Sequence, residues 1–250
     1  MRILILYSEL AGYNLPCLQA LASRETDIHL VRWPVNKEAP FDFGDIPGIT
    51  VYERDAFDTA GLLGLAEQVQ PQAMYVAGWM DKGYTAVARH WRSRGIPVIC
   101  ALDNHWRGDL RQQIAALLSP FHIKRMFSHL WVPGIHQYEF ARRLGFPPTH
   151  IRTGMYSADV APFLSLHRSV QTSDGPSELL YVGRFVENKG ILELVEVFSD
   201  LTQTQSDHNW RLRMVGAGPL QGRLPHHPHI SYQGFVQPAA LPALAARADA

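Results

Sequence analysis

Leu180–Phe198 reads LYVGRFVENKGILELVEVF. An apolar, β-rich run enters Gly183-Arg184, a short loop ends at Asn188-Lys189-Gly190, and an amphipathic pattern starts at Ile191. Strand, tight loop and helix in that order are the repeating unit of a parallel sheet. The stretch therefore predicts an α/β unit. It also sets two cations at the carboxyl end of a strand, beside a helix N-terminus. Free backbone N–H groups and the helix dipole favour an anion there. Arg184 can hold a phosphate with two parallel hydrogen bonds, and Lys189 adds a mobile point charge. Their chemical use would be to stabilise a departing diphosphate. A pair of surface cations beside a turn is the structural alternative.

Downstream the rhythm continues. Strand Leu212–Val215 leads into Gly216-Ala217-Gly218-Pro219, strand Ile230–Gln233 follows, and a helix is expected over about Ala239–Arg247. The two glycines let a backbone turn sharply or approach a ligand. A plain turn is the other reading. Upstream, SLHRSVQTSDGPS at Ser165–Ser177 is polar and reads as a linker. Before it, strands are expected at Ile3–Tyr7, Ile28–Trp33, Thr50–Glu53, Ala73–Ala77, Pro97–Leu102 and Leu130–Val132. Helical patterns lie at Leu15–Ser23, Thr59–Val69, Gly83–Arg94, Asp109–Leu118 and Ile135–Leu144. Val31, Val76 and Val98 sit in continuous apolar runs, as buried parallel strands do. The chain thus reads as two doubly wound, Rossmann-like parallel-sheet domains: 1–164, a linker at 165–177, and 178–250. The second has three strands where such a domain usually has five or six. It is expected to be incomplete, through truncation or because the sequence is a fragment.

Composition sets outer limits. The 250 residues carry 23 Lys and Arg against 23 Asp and Glu, so net charge is zero and nucleic acid is not an expected partner. No apolar run approaches the roughly 18 residues of a membrane span. MRILILY is a strand pattern, not a secretory signal. A cytoplasmic location is expected, with the inner membrane surface as a further site. Cys17 and Cys100 are too few for a disulfide framework and read as two interior thiols.

Asp103-Asn104-His105-Trp106 follows the strand Pro97–Leu102, at an end where doubly wound sheets place ligands. His105, and second Asp103, could orient an acceptor hydroxyl or stabilise positive charge on a sugar. A helix cap or polar loop is the alternative. Arg107, Arg111, Lys124 and Arg125 lie among Ile114, Leu117, Leu118, Phe121, Ile123, Met126 and Phe127. This reads first as core helix with snorkelling cations, and second as a surface for a lipid-linked acceptor or anionic membrane. His226-His227-Pro228-His229 has no helical His pair and no nearby Cys, so no metal site is expected. Trp79 and Trp106 are expected to pack, with a sugar-lining role as the alternative.

Strand-Gly183-Arg184-x(4)-Lys189-Gly190-helix, strand-Gly216-x-Gly218-Pro219, Gly234-Phe235, then Leu241, Leu244 and Ala248-Asp249 resemble, in order and spacing, the donor domain of a family 4 glycosyltransferase of GT-B fold. The likeness is specific over Leu179–Ala250 and looser before it. In IRTGMYSADVAPF at Ile151–Phe163, Asp159 and Phe163 fit the family and Tyr156 departs from it. The resemblance implies transfer of a sugar from a nucleotide sugar to a sugar, glycan or lipid-linked acceptor, usually with retention. It implies that Arg184 and Lys189 bind the donor diphosphate, that Gly216 and Gly218 form a nucleotide loop, and that Gly12, in the Ser8–Asn14 loop, faces phosphate or acceptor. No cofactor and no metal are implied. The family's Glu-x(7)-Glu segment would follow Asp249. A sugar-nucleotide epimerase or hydrolase of the same fold is the enzyme rival. A non-catalytic binding protein, pairing through an open sheet edge near Leu212–Gln233, is the other.

Overall fold

The computed structural model describes residues 1–167, 177–204 and 209–249. They form two units. One comprises Met1–Pro34 and Gly44–Ala158, the other Val35–Phe43 and Asp159–Ala250.

The first unit is a seven-stranded sheet. Its strands are β1 (Arg2–Tyr7), β2 (Asp27–Arg32), β3 (Ile49–Glu53), β4 (Ala73–Val76), β5 (Val98–Ala101), β6 (His129–Trp131) and β7 (Ile151–Arg152). All neighbours pair in parallel, in the order β3-β2-β1-β4-β5-β6-β7. Ile5 lies opposite Leu30 on one side and Tyr75 on the other. Helices α1 (Asn14–Ala22), α2 (Thr59–Val69), α3 (Lys82–Ser93), α4 (Leu110–Leu118), α5 (Ile123–Met126) and α6 (Ile135–Arg143) make the crossovers. Leu4, Leu6, Leu30, Val31, Met74 and Val76 are fully buried, as the continuous apolar runs require. The two-residue β7 was too short to show any period.

A polar cluster ties the start of α3 to the segments that follow β2 and β3. Asp81 caps α3 by accepting from the Tyr84 N–H at 3.0 Å. It also accepts from Arg54 Nε and Nη2 at 2.8 and 3.0 Å and from Trp33 Nε1 at 3.1 Å. Tyr84, buried beneath, donates its hydroxyl to the Tyr7 carbonyl at 3.0 Å. Burial pushes the Asp81 carboxyl up, but the bonds from Arg54, the Tyr84 N–H and Trp33 outweigh it and hold the group below its ordinary value.

The cysteines divide. Cys100 is buried in β5, but Cys17 is exposed, so the reading of both as interior thiols holds only for the first. On α1 it is Leu18 that turns to the core.

The second unit has strands β8 (Ser177–Val182), β9 (Trp210–Val215) and β10 (Ile230–Gln233), parallel in the order β10-β9-β8. Its helices are α7 (Ala161–His167), α8 (Ile191–Thr204) and α9 (Leu241–Ala245). On α8, Ile191, Val195 and Phe198 form one buried stripe. Of the expected linker, 165–167 belong to α7, Ser177 opens β8, and 168–176 lie outside the described residues. Among the described residues no helix is long and apolar enough to cross a membrane.

The GxG pair after β9 has a plain packing cause. Gly216 has φ 145°, and a Cβ there would stand 1.9 Å from the Gly183 carbonyl oxygen. A Cβ on Gly218 would meet the Phe185 carbonyl oxygen at 2.5 Å. The Phe185 N–H donates to the Ala217 carbonyl at 2.8 Å, and the Leu220 N–H to the Phe185 carbonyl at 3.1 Å. The β9 loop is therefore pressed onto the loop that carries Arg184, and only glycine permits that approach.

Two outcomes follow for stability. Asp81→Ala leaves Arg54 and the α3 N-terminus without their partner, and should cost about 2–4 kcal/mol in urea unfolding at neutral pH. Because the folded carboxyl sits below its ordinary value, its stabilisation is full above that value and fades as pH falls beneath it. The gap between wild type and variant should thus narrow in acid. Gly216→Ala should destabilise by about 2–4 kcal/mol, since backbone must shift. An unchanged unfolding midpoint in either variant contradicts the corresponding assignment.

Candidate functional site

The strand order of the first unit reverses between β1 and β4, and ligands in such sheets bind beyond the carboxyl ends at that point. Aromatic rings gather there. Tyr7, which ends β1, stacks on Tyr75 of β4 with centroids 5.9 Å apart and planes at 17°. Trp131 of β6 meets Tyr75 edge-on at 6.0 Å. Tyr13, in the loop after β1, meets Tyr156 edge-on at 6.2 Å. The Tyr156 hydroxyl lies 3.4 Å from Asp103 Oδ2 and donates to it. Asn14 pins the β1 loop by accepting from the Ala11 N–H at 2.9 Å and donating Nδ2 to the Tyr7 hydroxyl at 3.0 Å.

The electrostatics follow from burial and one carboxylate. Burial, then the neighbouring Tyr13 phenol, pushes Tyr7 up to about 12. Burial first and Asp103 second raise both Tyr13 and Tyr156, and burial with Tyr7 raises Tyr75. All four phenols therefore stay protonated in neutral solution. The result is a cluster of aromatic rings and phenol hydroxyls beside the exposed Asp103 carboxylate. Such a surface suits a polyhydroxylated ring: faces for its C–H side, partners for its O–H groups.

The sequence-derived residues fall unevenly around this cluster. Asp103 touches it through Tyr156. His105 is exposed two residues on, and its carbonyl accepts from Gln112 Nε2 at 2.8 Å. Gly12 lies in the β1 loop with an ordinary φ, and its carbonyl accepts from the Leu15 N–H at 3.3 Å. Trp106 instead packs on Phe140, 5.5 Å between centroids, and carries the Arg143 guanidinium at 4.9 Å. Trp79 packs toward Phe127. The tyrosines themselves escaped the reading because single aromatics on scattered strands carry no spacing signal. One signal did exist: Tyr156 is the position that breaks the expected GMYSADV pattern.

The second unit carries the cations. Val182 ends β8, and the Gly183 N–H donates to the Val215 carbonyl at 3.0 Å. Phe185 is buried, which turns Arg184 outward. The Arg184 carbonyl accepts from the Tyr181 hydroxyl at 3.1 Å. A single 3₁₀ turn, Glu187–Lys189, ends at Gly190 with φ 64°, and α8 starts at once. Lys189 is exposed, and among the described residues no carboxylate stands within ion-pair range of it. Arg184 is partly exposed, and its Nη1 lies 3.7 Å from Glu38 Oε2. Glu38 belongs to the 35–43 segment of this unit, which linear reading assigned to the N-terminal domain. Gln237 holds that segment, donating Nε2 to the Pro40 carbonyl at 2.9 Å and accepting from the Asp42 N–H at 3.2 Å. Phe41 meets Phe235 edge-on at 5.3 Å.

The histidine cluster is a packing feature in part. His227 contacts Phe198 at 6.2 Å and its Nδ1 accepts from the His229 N–H at 3.2 Å. Among the described residues no group of three His, Cys, Asp or Glu side chains could hold a metal ion.

The comparisons with known proteins bear on both units. Residues 176–250 match the family model described as "Glycosyl transferases group 1". A search of curated proteins by sequence finds no significant match. Among solved structures, the Anabaena protein Alr3699/HepE in complex with UDP is 15% identical with a TM-score of 0.64, over 100% of this chain and 72% of that one. A glycosyltransferase from Rickettsia africae is 11% identical with a TM-score of 0.64, over 98% and 70%. The UDP-GlcNAc 2-epimerase of Neisseria meningitidis, bound to UDP-GlcNAc, is 10% identical with a TM-score of 0.60, over 98% and 75%. At these identities the likeness shows the fold alone, an α/β fold of GT-B type, and 176–250 carry a glycosyltransferase-type sequence.

Proposed function

We propose that this protein transfers a sugar from a nucleotide-sugar donor to an acceptor hydroxyl, with retention at the anomeric carbon. The observation that carries the reading is the outward Arg184 and exposed Lys189 at the end of β8, beside the start of α8, within the segment matched to glycosyltransferases. The complexes of two neighbours with UDP and UDP-GlcNAc support a nucleoside diphosphate as the anion.

In this reading Arg184 grips the diphosphate, and Lys189 with the first α8 N–H groups spreads its growing charge as the sugar departs. These cations take the part a metal plays in other transferases, so none is required. The acceptor binds at the tyrosine cluster, where Asp103 holds its hydroxyl and His105 follows two residues on. The hydroxyl attacks on the donor's own face, and a donor phosphate oxygen takes its proton.

An epimerase or hydrolase is the second reading, favoured by the 2-epimerase among the similar structures. It predicts epimer or free sugar formed without acceptor.

Arg184→Ala, assayed in the intact protein with EDTA present, should lower transfer by about a hundredfold or more and weaken UDP binding. A loss under about threefold overturns the assignment. Glu38→Gln should act the other way. A partly exposed ion pair is worth at most about 1 kcal/mol, so removing the competing carboxylate should tighten UDP binding by up to about fivefold in calorimetry. Weaker binding would mean that Glu38 serves to aim Arg184.

A further inference from the structure

Helix α4 is packed inside out. Its inward positions are small or polar: Gln112, Ala115, Ala116 and, in the turn beyond, Ser119. Gln112 Oε1 accepts from the Arg107 N–H at 2.6 Å and the Gly108 N–H at 3.1 Å, Ala116 rests on the core, and Ser119 donates its hydroxyl to the Leu144 carbonyl at 2.7 Å. The large side chains point the other way. Leu110, Ile114, Leu117, Leu118 and Phe121 are between 47% and 76% exposed. They recur at i, i+4, i+7, i+8 and i+11, which is one continuous helical stripe. The core-helix reading of this region is thus wrong for α4 and right only for the buried Ile123, Met126 and Phe127.

Cations flank the stripe in the sequence. Arg107, Arg111, Lys124 and Arg125 are all exposed, and Arg89 reaches His122 at 3.2 Å. Between 105 and 127 the only carboxylate is Asp109, which is occupied in capping α4 through the Gln112 N–H. Four cations less one anion leave +3 on this stretch of a chain whose net charge is zero.

We propose that α4 and the turn after it form a docking surface for an anionic lipid bilayer. The stripe enters the boundary between headgroups and acyl chains, and the four cations lie against acidic headgroups. Apolar side chains on one face with flanking Lys and Arg are what such a surface selects. A second copy of the chain fits less well. A two-fold pair would set the same patch against itself, cation facing cation, over five apolar side chains where a stable interface needs about twenty residues a side. The surface acts in this way whether or not the chain transfers sugars.

Flotation of the full chain with vesicles tests it. The protein should float with phosphatidylcholine vesicles that contain phosphatidylglycerol, and stay behind with phosphatidylcholine alone. Leu117→Ser with Phe121→Ser should reduce flotation at least about tenfold, and Lys124→Glu with Arg125→Glu should do the same. All four positions are exposed, and an unchanged thermal unfolding curve shows that each variant folds. Absence of flotation with anionic vesicles overturns the proposal. So does flotation that survives the Leu117→Ser, Phe121→Ser change. A wild-type dimer in sedimentation that these two substitutions dissolve would assign the stripe to a second copy instead.

Discussion

A parallel strand cannot be followed by a hairpin. Each strand must be re-entered from the end where the last one began, so the chain crosses back on every turn and each crossover departs from the same edge of the sheet. All else in this protein depends on that constraint. It is why Tyr7, Tyr75, Asp103 and Trp131, far apart in sequence, stand on neighbouring strands or just beyond them. It is also why the Gly183–Gly190 loop lies beside the Gly216–Gly218 loop in the second unit. The sheet's interior supplies stability, and its carboxyl edge supplies polar groups that the core could not tolerate.

The fold was legible because buried parallel strands announce themselves. All nine expected strands exist, with ends shifted by at most two residues, and Thr59–Val69 and Ile230–Gln233 coincide with their elements. The candidate site is legible only where its proposed chemistry coincides with a local pattern. Arg184 and Lys189 lie in one strand–loop–helix stretch, so reading one stretch finds them. The tyrosine cluster is assembled from five separate stretches, and nothing in a linear reading links Tyr13 to Tyr156. Glu38 shows the same limit. Its partner is 146 positions away, and its segment packs through Gln237 and Phe235. Helix α4 misled for a different reason. Period alone says that a helix has an apolar stripe, but not whether that stripe faces the protein.

Gly216 and Gly218 illustrate how one residue type answers to two demands. Read as a nucleotide loop, they would free backbone for a ligand. In the structure, their missing side chains are filled by Gly183 and Phe185 of the neighbouring loop. The two demands are compatible. Pressing the β9 loop onto the β8 loop fixes the backbone that presents Arg184, and the Ala217–Phe185 hydrogen bond keeps it there.

The Arg184–Glu38 pair has a consequence for selectivity. A cation left bare at a strand end would gather any anion in solution, from chloride to free phosphate. With a carboxylate nearby at 3.7 Å, Arg184 already has a weak counter-charge. An incoming anion gains only the difference between its own attraction and that of Glu38. A small singly charged ion loses the larger share of its small gain to this competition. A ligand that brings several charges, and that reaches Lys189 and the α8 N-terminus in the same act, still gains. If Arg184 and Lys189 hold the donor as proposed, the tethered carboxylate sets a threshold, and what passes it is multivalence rather than charge alone.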